Sequence, residues 1–206
     1  MTKTYFLGIA AAASLATFSQ LTAAAGFNYT FAEAGYRNVD SDNYSGDGVR
    51  VSFSYGALDY LHVVGDYSRL LIDDIDGTSD ADVDLDEFKI GFGSHYSITD
   101  KIDLAGTVTY VDDEYTGNAV PKSLGYKTNI NDSEEGYEAT IYGRIQAMKK
   151  LELTPHIVHR DVDGSDTGFG LGLVYDLTRQ FAIRARATSF SDDNTTNLFL
   201  GIRLNM

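Results

Sequence analysis

The chain has 206 residues, with 30 acidic against 16 basic side chains and a formal net charge of -14. That length suits one domain, and the acidity excludes the basic patch that a nucleic-acid partner requires. With no cysteine, disulfides, thiolate metal sites and thiol catalysis are excluded as well, while 14 Tyr, 11 Phe and 20 Gly against 2 Pro favour strands and turns.

Residues 1–25 stand apart. Met1-Thr2-Lys3 gives a short basic start, Tyr5 to Leu21 is apolar and Ala-rich, and Ala23-Ala24-Ala25 supplies a small-residue cleavage site before Gly26. These features predict a secretory signal peptide over 1–25 and a barrel domain over 26–206. No later stretch approaches the ~20 apolar residues of a transmembrane helix. The mature chain is therefore either a soluble periplasmic protein or a transmembrane barrel.

From there the chain alternates apolar and polar residues, the period of a strand with two different faces. Phe27 to Arg37 reads as a first strand whose phase is obscured at Phe31-Ala32-Glu33, where a bulge is expected. Val49 to Tyr55 alternates strictly, and Tyr60 to Leu70 sets Leu61, Val63 and Tyr67 against His62 and Asp66. Phe88, Ile90 and Phe92 follow, then Ile102 to Tyr110, then Tyr137 to Gln146. Leu151 to Arg160 is weakened by Pro155, which lacks a ladder donor. Phe169 to Tyr175, Phe181 to Thr188 and Leu198 to Leu204 complete ten strands, with eight as the alternative count.

The connections alternate in length. Short turns are expected at 56–59, 98–100, 148–150 and 176–179, and the others at 38–46, 71–86, 112–135, 161–166 and 190–195. Short turns on one side and longer loops on the other predict an all-β, antiparallel up-and-down transmembrane barrel with both termini on the short-turn side.

Three features put the apolar face toward lipid rather than inward, as a soluble lipocalin-like barrel would have it. Gly168, Gly170 and Gly172 make room on the polar face. That face also carries Arg50, Asp66, Asp103, Glu138, Arg144, Glu152, Arg184, Arg186 and Arg203, a set that can pair across a narrow lumen. Tyr36, Tyr55, Tyr96, Tyr110, Tyr137, Tyr175 and Phe181 sit near strand ends, as interfacial girdles do. Arg144, Arg184, Arg186 and Arg203 are expected to find Glu138, Glu152 and Asp103, because an unpaired buried charge is expensive.

The Ala-rich leader, the opening Tyr29-Thr30-Phe31-Ala32-Glu33-Ala34-Gly35-Tyr36 and the last strand Asn197 to Leu204 together resemble the small porin-like outer-membrane β-barrel proteins of Gram-negative bacteria. The resemblance spans the mature chain at the level of architecture. It implies the outer membrane as location, lipid and lipopolysaccharide as surroundings, and the barrel-assembly machinery as a partner of a monomeric barrel. One departure is the ending Asn205-Met206, where such proteins usually carry an aromatic residue.

Acidic residues concentrate in the expected outer loops. Asp74, Asp76, Asp80, Asp82 and Asp84 fall in one, and Asp161 and Asp163 in another; such oxygen ligands suit weak Ca²⁺ or Mg²⁺ binding, against the plainer reading of a solvated acidic surface. No other cofactor is implied. No enzyme motif appears. His159 near Asp161 and Asp163 offers only thin support for a rim protease that polarises water. The expected function is a structural or surface-interaction barrel with a narrow, charge-filled lumen, with a narrow porin and a rim protease as the alternatives.

Overall fold

A computed structural model of the chain describes residues 26–75, 78–121, 128–191 and 194–206, with the backbone alone at 73–74 and 79–81. The expected signal peptide lies outside the described residues. Ten antiparallel strands form one closed barrel: β1 Phe31–Asp40, β2 Tyr44–Leu58, β3 Leu61–Ile75, β4 Thr78–Thr99, β5 Ile102–Pro121, β6 Thr128–Met148, β7 Leu151–Asp161, β8 Ser165–Asp176, β9 Phe181–Phe190 and β10 Thr196–Asn205. Each strand pairs with its neighbours in sequence, and β1 closes on β10 from Phe31↔Asn205 to Asp40↔Thr196.

The strand phases set the two faces. Exposed apolar side chains encircle the outside: Val49 and Val51 on β2, Phe88, Ile90 and Phe92 on β4, Leu171 and Leu173 on β8, Leu200 and Ile202 on β10. Charged residues from around the barrel are buried inside, among them Glu33, Asp66, Glu87, Arg144, Glu152 and Arg203. In water this would be inside out; against lipid it satisfies both faces. On β4 the outward run from Phe88 to Ile98 rises roughly 33 Å, or about 25 Å at a tilt near 40°, which is the height of a bilayer-facing band. Tyr110 and Tyr137 face each other across β5 and β6 at its upper edge, and Tyr96, Tyr175 and Phe181 lie toward the short turns.

Three sequence expectations change. No bulge interrupts β1, which keeps continuous register with both neighbours. Its phase was obscured because Tyr29 and Phe31 are aromatic residues turned inward; the Arg203 guanidinium lies 3.9 Å from the centroid of the Phe31 ring. Pro155 does not demote β7, which pairs with β8 throughout. The ladder to β6 simply omits Gly143 and Arg144, opposite the proline and its neighbour.

The third change is larger. The stretches 71–86 and 112–135, expected as long loops, are mostly strand: β3 runs to Ile75, β4 starts at Thr78, β5 reaches Pro121 and β6 begins at Thr128. The strand phase persists through them while the chemistry inverts. Below Glu87, odd positions of β4 are polar or Gly and even ones, Ser94 apart, are apolar or aromatic; above it, Val83 and Leu85 point inward and Asp82, Asp84 and Asp86 outward. Inside the extension Val39, Leu70, Ile72, Val83 and Leu85 form an apolar cluster with Tyr44, Tyr115 and Ile130 packed against it. A barrel wall standing in water obeys the rule of soluble sheets, polar out and apolar in, so the inversion marks where the wall leaves the bilayer. Leu85→Asp should open this extension and expose its tip to protease while the lower barrel keeps its heat-modifiable gel migration. An unchanged cleavage pattern would mean that the cluster does not hold the extension.

Candidate functional site: the charged lumen

The lumen is crossed by side chains rather than merely lined. Glu87 of β4, only 2% exposed, is the hub. Arg37 reaches it from β1 at 2.8 Å, donating also to the Ser68 hydroxyl; Lys89 lies 3.4 Å away, and Arg160 reaches across from β7. Arg160 binds Asp113 of β5 with its other terminal nitrogen, and Lys89 binds Glu138 of β6 at 2.6 Å. One buried network thus ties β1, β4, β5, β6 and β7 together. Arg50 pairs with Asp66 at 2.6 Å, Arg144 holds Glu152 through two N–H donors at 2.7 Å each, and Arg203 and Arg184 share Glu33 at 2.6 and 3.4 Å.

All nine residues expected in the lumen face it, but of the expected pairings only Arg144 with Glu152 forms, and Arg203 and Arg184 take Glu33 instead. Asp103 meets the Tyr29 hydroxyl at 3.1 Å rather than an arginine. Glu138 takes Lys89, not one of the four expected arginines. Arg186 has no carboxylate within ion-pair distance among the described residues; its Nε–H donates to His156 Nε2 at 3.2 Å. Glu33, Arg37, Glu87, Lys89, Asp113 and Arg160 join the network without having been singled out. Glu87 and Asp113 stand among other acidic residues in the sequence, and their odd-numbered phase on β4 and β5 is the signal that marks them as inward.

The short-turn end is plugged. Before β1 the chain turns inward, and Tyr29 stacks on His95 at 3.7 Å between centroids, with His62 at 4.9 Å. The Tyr29 hydroxyl donates to Asp103 across the lumen, and Arg144 donates to the Asn28 carbonyl at 2.7 Å while lying over the Phe27 and Tyr29 rings. Gly93 permits this closure, because a Cβ there would lie 2.1 Å from His62 Nε2.

Two cavities remain above the plug. The upper one, about 490 Å³, opens between the strand extensions, and the lower, about 150 Å³, lies over the plug. Both touch Arg50, Lys89, Glu138 and Arg186. The upper mouth is acidic, with Asp132, Glu134, Asp163 and Asp166 on its walls. Burial, and then the neighbouring Asp163, Asp113 and Asp132, hold the Glu134 carboxyl above the ordinary glutamate range.

The expected cation ligands are dispersed. Asp82 and Asp84 face outward on β4, with Asp84 paired to Arg69. Asp161 ends β7 and Asp163 lies in the following turn. Asp76 and the side chains of Asp74 and Asp80 lie outside the described residues. Among the described residues no group of three or more His, Asp or Glu side chains is arranged to hold a metal ion. His159 points outward, bonded to the Thr167 hydroxyl at 3.0 Å and close to Ser165, so hydroxyls take the places that a rim general base would give to Asp161 or Asp163.

The sequence matches no protein-family profile and no curated protein. Among solved structures, the outer membrane protein OprG of Pseudomonas aeruginosa matches at a TM-score of 0.53 and 11% identity, covering 88% of this chain and 98% of that one. The fold is that of an outer-membrane β-barrel. Neisserial surface protein A matches at 0.44 and 12% identity, over 86% of this chain and 96% of that one. Ail of Yersinia pestis matches at 0.41 and 11%, over 86% and 99%. These two likenesses carry no further argument.

Proposed function

We propose that this protein resides in the outer membrane as a barrel closed on its periplasmic side and open outward, with a structural or surface-interaction role rather than a conducting one. The plug carries this reading. Tyr29, His62, His95 and Arg144 close the periplasmic end from four strands or strand approaches, and Asp103 anchors the tyrosine from a fifth. Above the bilayer, Asp82, Asp86, Asp112, Glu114 and Glu135 face outward on the strand extensions. Phosphate groups of lipopolysaccharide would meet these carboxylates through shared Ca²⁺ or Mg²⁺, bound weakly and without a preformed cage.

A narrow channel is the second reading, favoured by the shared walls of the two cavities, which leave the plug as the main barrier. Planar-bilayer recording separates the two. The wild-type barrel should be silent, and Tyr29→Ala should give resolvable conductance steps. Stable steps from the wild-type protein would overturn the closed reading in favour of the channel.

A further inference from the structure

The lower cavity has an unusual charge for so acidic a chain. Six cationic side chains line it against four carboxylates, Glu33, Asp66, Glu138 and Glu152. Each carboxylate is already engaged: Glu152 by Arg144, Asp66 by Arg50, Glu138 by Lys89, and Glu33 by both Arg203 and Arg184. Among the described residues Arg186 is left without an ion-pair partner: Glu138 and Asp66 act on it only at longer range, and Arg50 and Arg184 repel it. A guanidinium cannot shed its proton to escape this, and an uncompensated charge in an enclosed site is costly.

The geometry around Arg186 is built. His156 donates its Nδ1–H to the Thr154 carbonyl at 3.2 Å, so its Nε2 accepts, taking the Arg186 Nε–H and the Thr188 hydroxyl at 2.9 Å. Gly170 makes space for the imidazole, since a Cβ there would lie 2.3 Å from His156 Nε2. The ring therefore fixes the guanidinium by its Nε and leaves the two terminal nitrogens, the pair suited to fork onto an oxyanion, without a protein partner among the described residues.

We propose that the lower lumen binds a small oxyanion, a carboxylate or a phosphate, on Arg186, with His156 as the residue that positions the guanidinium. A cavity of about 150 Å³ holds a molecule of a few heavy atoms. The upper cavity, which shares Arg186 as a wall residue, connects this site to the outer mouth. The acidic mouth admits such anions slowly, which suits a held ligand better than a permeating one.

The test is calorimetric titration of the folded barrel in detergent with inorganic phosphate and, separately, acetate, against chloride at matched ionic strength. Saturable heat from either oxyanion is the expected result and identifies which class is preferred. Arg186→Gln should weaken the binding about tenfold or more, the worth of a hydrogen-bonded ionic contact. Thr188→Glu, which places a carboxylate on the same face of β9, should displace the anion while keeping every cation; it decides the location if Arg186→Gln does not fold. Absence of saturable heat in the wild-type protein, or undiminished binding in the folded variants, overturns the proposal.

Discussion

Replacing Glu87 by Gln is expected to lower the stability of the barrel by about 3 kcal/mol, the low end of the cost of removing one partner from a buried ion pair. The low end applies because the three cations on Glu87 are unequally affected. Arg160 keeps Asp113, and Lys89 keeps Glu138. Arg37 keeps only the Ser68 hydroxyl and the Asn197 amide oxygen, and its side chain is 8% exposed. The chain has no Trp, so urea unfolding is best followed by circular dichroism or by the gel shift of the folded barrel. Asp84→Asn is the control, because its pair with Arg69 lies half in solvent on the outer wall and should be worth under about 1 kcal/mol. Equal, small losses from both variants would show that water screens the lumen as it screens the surface.

How much of this lumen the sequence reveals depends on which strands a contact joins. Arg50 with Asp66 and Arg144 with Glu152 join consecutive strands, so strand phase and the hairpin turn suffice to bring them together. Arg37 with Glu87, Arg160 with Glu87 and Tyr29 with Asp103 cross the lumen. Alternation says which face a side chain occupies and is silent on which strand stands opposite, because that depends on barrel closure and stagger. Arg203 with Glu33 is a closure contact between the first and last strands, hidden by the inward Phe31 that blurred the phase of β1.

The strand extensions were missed for a different reason. Asp80, Asp82, Asp84 and Asp86 read as a solvated acidic loop, and the turn-rich composition agreed. Yet the spacing that holds Val83 and Leu85 in phase with Glu87 and Lys89 runs through the same residues. A change of solvent from lipid to water inverts which face is apolar without altering the period. A search for apolar-out alternation therefore stops at the membrane surface even when the strand does not.

That inversion also sets a paired test of the bilayer position, in which one substitution is made at two heights. Leu200 is 59% exposed near the middle of the outward run of β10, opposite Tyr36 and the small Ala185. Leu71 is 55% exposed on β3, but lies in register with Asp47 and Asp84, above the inversion. Burial alone does not distinguish the two sites; only the surrounding solvent does. Leu200→Arg should cost about 2–4 kcal/mol in a lipid vesicle, the penalty of a cation near the midplane, and Leu71→Arg about 0–1 kcal/mol. The difference should shrink in detergent, whose thin and deformable shell lets the arginine head reach water. Equal costs at the two sites in lipid, or a mature protein that stays soluble and monomeric without detergent, would mean that the apolar belt does not face a bilayer.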